Sequence, residues 1–173
     1  MRFLTLRLGF AAVLLLVTPV LALAAARTGF GFNAQNISGI TNGGAVSLTG
    51  GGAYELPDFV HSAGGFSCLA PVNSGPLRGC AVGEGVRWDT AALLASTTFK
   101  CIGTDSLKTA TTNNHTVVLQ ADFYRAGDGI DESFTAQMIV ADHDLAGDVA
   151  GTQNVWVQGV GCGSAIVNFS GPN

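Results

Sequence analysis

The sequence predicts an all-β fold: a single-domain antiparallel β-sandwich or small β-barrel with one short helix, cross-linked by disulfides. Three observations point there. Short runs of alternating apolar and polar residues recur along the chain, separated by Gly, Asn, Asp and Pro turn signals. Helical periodicity is almost absent. Four cysteines, Cys68, Cys80, Cys101 and Cys162, follow an N-terminus of the export type.

Met1 to Leu8 carries Arg2 and Arg7, Gly9 to Leu23 is almost wholly apolar, and small residues follow to Ala26. A charged start, an apolar centre and an A-x-A end are the parts of a secretory signal peptide. Residues 1–26 are therefore expected to be removed, with Ala24 the other candidate cleavage position. The apolar run is short for a membrane anchor. Residues 27–173 are expected to form one exported β-domain, secreted, periplasmic or at the cell surface, with enough chain for a sizeable core. Without Arg2 and Arg7 this domain has six basic residues against twelve acidic ones, a net charge of −6. That balance argues against nucleic acid or an anionic membrane as partner. No later segment is apolar enough to span a bilayer.

Thr28 to Gly52 reads as short strands joined by tight turns, Asn42-Gly43-Gly44 being the clearest. Phe59-Val60-His61 and Gly65-Phe66-Ser67-Cys68 are strand candidates on either side of Ser62-Ala63-Gly64, and Pro57 is expected to bound an edge strand. A Cys68–Cys80 bridge would staple the Pro- and Gly-containing loop Leu69 to Gly79. Glu84 to Trp88 could form a strand with Val86 and Trp88 on one side. Asp89-Thr90-Ala91-Ala92-Leu93-Leu94-Ala95 carries the helix signal, with Asp89 as cap. Thr97 to Ile102 returns to strand, and Gly103 to Asn114 reads as an exposed polar loop.

His115 to Asp142 reads as one long hairpin. Val117, Leu119, Ala121 and Phe123 share one face of its first arm, and Phe134, Ala136, Met138 and Val140 one face of its second. A lone hairpin is marginal in water, so the rest of the chain is expected to cover it. Gln153 to Gln158 and Ser164 to Phe169 read as two last strands around a glycine-rich bend.

The cysteines allow three pairings. Cys68–Cys80 with Cys101–Cys162 is preferred, each bridge contributing roughly 2–4 kcal/mol by the loop-entropy argument. A four-thiolate zinc site lacks the C-x-x-C spacing it would need. For catalysis, Asp122, within an apolar arm, and Glu84 are the candidate carboxylates, since burial would raise a carboxyl pKa and make a base. Asp122 lying on a wet sheet face is the plainer reading. Glu55 and Asp58 are the other acids near strands. For metal, Asp142, His143, Asp144 and Asp148 cluster in one loop, and Asp128, Asp131 and Glu132 in the hairpin turn. Carboxylates suit calcium, but neither run has the EF-hand spacing, and Asp is an ordinary turn residue. The domain is otherwise expected to need no cofactor.

The three histidines, His61, His115 and His143, are too few for the dinuclear site of copper–zinc superoxide dismutases, and that family's H-x-H pair is missing. His61, Asp89 and Ser164 have a triad order without a G-x-S-x-G motif, and order alone is weak evidence. Trp88, Trp156, Tyr54 and Tyr124 could stack on flat ligands if exposed, and equally could be core. Asn36, Asn114 and Asn168 begin N-glycosylation-type triplets.

From Gly29-Phe30-Gly31-Phe32-Asn33-Ala34 through Asp122-Phe123-Tyr124-Arg125-Ala126-Gly127-Asp128-Gly129 to Asn154-Val155-Trp156-Val157 and Gly161-Cys162-Gly163-Ser164, the chain resembles uncharacterised exported all-β proteins of environmental bacteria. In size and glycine-rich strands it is similar to the small barrels of allene-oxide-cyclase and dirigent proteins, at the level of fold alone. Neither resemblance transfers catalytic residues. The expected function is a non-catalytic exported β-domain that binds a small molecule, glycan or protein, or builds cell surface. The alternatives are a small barrel enzyme (cyclase, isomerase or hydrolase) using carboxylates in a cavity, and an extracellular protein that associates with itself through strand edges.

Overall fold

The computed structural model describes residues 27–127 and 133–171. The expected signal peptide and the turn acids Asp128, Asp131 and Glu132 lie outside them.

Eleven strands and no helix make up the described chain: β1 (Thr28–Gly39), β2 (Ala45–Glu55), β3 (Phe59–Ala70), β4 (Arg87–Leu94), β5 (Ser96–Phe99), β6 (Lys108–Thr111), β7 (Thr116–Tyr124), β8 (Phe134–Ala141), β9 (Val155–Val157), β10 (Gly161–Gly163) and β11 (Ala165–Ser170). Nine form one antiparallel sheet in the order β10-β9-β8-β7-β4-β3-β2-β1-β11, and β10 also pairs with β1. That last pairing, Ser38 with Cys162 and Gly39 with Gly161, closes the sheet. β10 and β11 run one after the other along the same edge of β1, so the wall is an up-and-down barrel of eight staves. The β5–β6 hairpin is an arm inserted between β4 and β7.

An eight-stave barrel has an interior just wide enough for side chains to fill. Here Trp88, Tyr54, Phe123, Leu48, Leu119, Met138 and Val117 are fully buried and share one core cluster. Each such side chain contributes about 1.5–3 kcal/mol through burial. The hairpin strands pair Val117 with Val140, Leu119 with Met138 and Ala121 with Ala136, the faces read from sequence. A second, outer core forms where the β5–β6 arm and the loop after β8 cover Val118, Ile139 and Trp156 on the outside of β7–β9. Both expected disulfides are present, Cys68–Cys80 and Cys101–Cys162, and no cysteine is free.

The expected helix is instead strand. Asp89 to Leu94 belong to β4 and pair antiparallel with β7, from Asp89↔Asp122 to Leu94↔Val118, with a bulge between Thr90 and Ala92. The bulge shifts the side-chain phase, so Trp88 and Leu93 both face inward at a spacing that no regular strand allows. Other boundaries also differ. β1, β2 and β3 are long continuous strands, and neither strand beside Pro57 is an edge. Val86 is exposed while Trp88 is buried, so they do not share a side. The expected loop Gly103 to Asn114 contains β6, paired to β5 from Ser96↔Thr111 to Phe99↔Lys108.

Candidate functional site

At one barrel end, the β2–β3 turn, the β6–β7 connection and the start of the loop after β8 border an open depression of about 590 Å³. Its polar centre is Asp142. His115 Nδ1 stands 2.7 Å from Asp142 Oδ2, and His143 Nδ1 stands 3.2 Å from Oδ1. The backbone builds the pair: Asp142 N donates to His115 O at 3.2 Å, and His115 N donates to Asn113 Oδ1 at 2.8 Å. Partial burial of Asp142 opposes ionisation, but hydrogen bonds and charge interaction with His115 and His143 outweigh it and hold the carboxyl below its usual range. Beneath lies Tyr54, whose hydroxyl donates to Asn113 O. Burial, with a smaller push from the Asp142 charge against a bond to Thr28, raises its pKa to about 12. Such a phenol stays protonated at neutral pH. Asp142 orients both imidazoles, yet His115 and His143 are largely exposed, and the hydroxyl of Thr112 is committed to Leu94 O and Val118 N. Among the described residues, Asp142 is the side-chain hydrogen-bond partner of both rings.

The metal candidates do not converge. Asp144 Oδ1 accepts from Ala146 N at 3.1 Å and Gln153 N at 3.0 Å, shaping its own loop. Asp148 pairs with Lys108 Nζ at 3.0 Å; the pairing lowers the carboxyl pKa and raises that of the amine. Among the described residues no group of three or more His, Cys, Asp or Glu is arranged to hold a metal ion.

The catalytic candidates lie outside the barrel. Asp122 is on the outer face of β7, where it accepts from Thr135 Oγ1 at 2.8 Å. It stands across from Asp89 of β4, which Arg87 pairs at 2.9 Å and the Tyr124 hydroxyl bonds at 3.2 Å. The Arg87 guanidinium covers the Tyr124 ring at 3.7 Å. Burial and the Asp89 charge push the Tyr124 hydroxyl above its ordinary pKa. Glu84 accepts from Ala81 N at 2.8 Å, closing a turn beside the small disulfide loop. Neither carboxylate reaches the interior. His61, Asp89 and Ser164 are not assembled either: Asp89 is committed to Arg87 and Tyr124, and Ser164 lies beside Asn33 and Gln35. Trp88, Trp156, Tyr54 and Tyr124 are all buried, which removes them as a stacking platform.

A feature that residue-by-residue reading missed lies on the outer wall. A groove of about 440 Å³ crosses β1, β2 and β3, bordered by Asn33, Gln35, Ser47, Thr49, Ser67 and Val86. A second depression, of about 240 Å³, shares Asn33 and Gln35 and continues over Ser164 to Ile166. Thr49 is oriented by donating to Phe32 O at 3.1 Å. The wall around them is uncharged: Thr28 to Tyr54, Phe59 to Leu77 and Val149 to Asn173 contain no Asp, Glu, Lys or Arg. Strands β9, β10, β11, β1, β3 and nearly all of β2 thus form a neutral arc, while charges gather on β4, β6, β7 and the loops. The signal was visible as three charge-free runs, but only the pairings of β2 with β3 and of β11 with β1 make them one surface.

No family model, curated protein or solved structure matches the chain.

Proposed function

We propose that the chain is an exported, non-catalytic binding domain that takes a neutral, hydroxyl-rich ligand, a glycan chain, in the groove across β1–β3. The observation that carries this reading is that the polar border of the groove, Asn33, Gln35, Ser47, Thr49 and Ser67, consists of amides and hydroxyls on strand segments without charge. Amide and hydroxyl groups match sugar hydroxyls as donors and acceptors. Val86, an exposed apolar side chain at the border of the groove, offers contact for the ring C–H faces. The enzyme alternative needs a cavity that holds substrate against its carboxylates. A filled interior and the outward position of Asp122 and Glu84 weigh against it. Two disulfides suit an oxidising compartment outside the cytoplasm. Among the described residues no helix is long and apolar enough to cross a membrane.

The test is calorimetric titration with neutral gluco-, manno- and N-acetylglucosamine oligosaccharides, in low and high salt. Binding is expected to change less than about twofold with salt, because no ion pair contributes. Asn33→Ala with Thr49→Ala should weaken it about tenfold, the loss of one or two hydrogen bonds. Absence of binding across the panel, or binding that collapses in salt, overturns the reading.

A further inference from the structure

Barrel closure leaves one edge of the main sheet without a strand partner among the described residues. β9 is three residues long, and its ladder to β10 ends at Gly163↔Val155. Beyond it, the Asn154 side chain takes the place of a strand for one residue: Asn154 Nδ2 donates to Ala165 O at 3.0 Å and Ala165 N donates to Asn154 Oδ1 at 2.8 Å. From Ile166 to Ser170, β11 is paired only to β1, and its other edge meets no strand among the described residues. The strand is nonetheless held in extended form. Phe169 packs on Phe30 with ring centroids 6.1 Å apart and edge-on against Tyr54 at 6.4 Å.

Exposed edges template further strand pairing, and proteins usually blunt them with charge, proline or bulges. The arm carries Lys108 at its own edge, but Ala165 to Ser170 (AIVNFS) contains no charge and no proline. Ile166, on this strand, is 75% exposed, more than any other large apolar side chain described. These features fix what fits. A partner copy brings the same net negative charge, so repulsion between two copies is least where neither carries acids, and β11 lies within the neutral arc. An antiparallel pair of identical strands is also self-complementary about a two-fold axis.

We propose that β11 is a docking edge for a second copy of this chain, the two β11 strands pairing antiparallel so that both barrels share one continuous sheet. Ile166 of each copy packs beside the new ladder. So small an interface gives a reversible dimer with a dissociation constant of about 1–100 µM. The pairing uses the free strand edge and not the part of the groove bordered by Ser47, Thr49 and Ser67.

The experiment is sedimentation equilibrium of the purified protein, with amide hydrogen exchange followed against protein concentration. A monomer–dimer equilibrium is expected, with exchange at Ile166–Ser170 slowing as concentration rises. Ile166→Lys with Asn168→Lys changes exposed side chains only, so circular dichroism should be unchanged while dimer affinity falls at least about tenfold. Thr49→Ala, in the groove away from β11, should leave dimerisation intact and so separates this pairing from ligand binding. A monomer at about 100 µM, a lysine variant with unaltered affinity, concentration-dependent protection elsewhere, or polymers larger than dimers would each overturn the proposal. So would a strand supplied by another protein, or by residues 1–26 of the unprocessed chain.

Discussion

Trp88 donates its indole N–H to Thr49 O at 3.0 Å from inside the barrel, and it fits there because of glycine. A Cβ on Gly64 would stand 1.8 Å from Thr49 O and 2.6 Å from Trp88 Nε1. Backbone cannot retreat from such a contact without disturbing the ladder, so Gly64→Ala should cost about 1–3 kcal/mol or more in chemical denaturation. The neighbouring Gly65 faces outward, where a Cβ would meet only ordinary contacts at 3.4 Å and beyond. Gly65→Ala is expected to lie within about 0.5 kcal/mol of the parent. Equal losses for the two variants would show that Trp88 does not set the requirement. Asp142 gives a second prediction at this scale. Its folded-state pKa is depressed, so its stabilising contribution is complete above the unfolded-chain value and disappears as pH falls through the depressed one. The melting temperature of the parent should exceed that of Asp142→Asn at neutral pH, by an amount equivalent to about 0.2–1 kcal/mol for so solvent-screened a group. The gap should close below the ordinary carboxylate range; a gap persisting there would assign the loss to packing. The sequence showed Asp142 beside His143 and bounded the hairpin at His115 and Asp142, but not the side-chain contact that the β7–β8 register makes between these two, 27 residues apart.

Elements were legible where alternation was unbroken. β7 and β8 keep strict two-residue periodicity, so both the hairpin and its inward faces could be read directly. β4 could not, because its bulge destroys the alternation and leaves Ala91-Ala92-Leu93-Leu94-Ala95, residues with good helix propensity. Tertiary pairing overrides that propensity: Leu93 is held opposite Leu119 and faces the core. β6 was hidden for a similar reason, since four residues facing a four-residue partner make a weak pattern. The arm they form is fastened at its base. Cys101 is bonded to Cys162, Phe99 meets Trp156 with ring centroids 5.9 Å apart, and Trp156 Nε1 donates to Lys100 O at 3.1 Å. Replacing Cys101 and Cys162 together by Ser should cost about 2–5 kcal/mol in thermal unfolding. The loss should be uneven: amide exchange in β5 and β6 rises first, while β7 and β8 stay protected. Uniform acceleration across the barrel would instead make the bridge a tie of the whole wall.

For the whole molecule, alternation and turn spacing could not separate a sandwich from a barrel, because both bury one face of every strand. The difference rests on β1, which takes β2 along one edge and β10 with β11 along the other. No local signal carries that pairing. The same closure decides what the molecule offers to its surroundings: interior volume goes to Trp88, Phe123 and Met138, and the groove is left to the outer wall. It also orders events in time. Phe30 near the start of the barrel waits for Phe169 at its end, so the wall cannot be completed until nearly all the chain is free to move. Contacts so distant along the chain make folding slow and leave an emerging chain unfolded for longer. Such a chain remains threadable through a narrow pore until its tail is released, and then shuts.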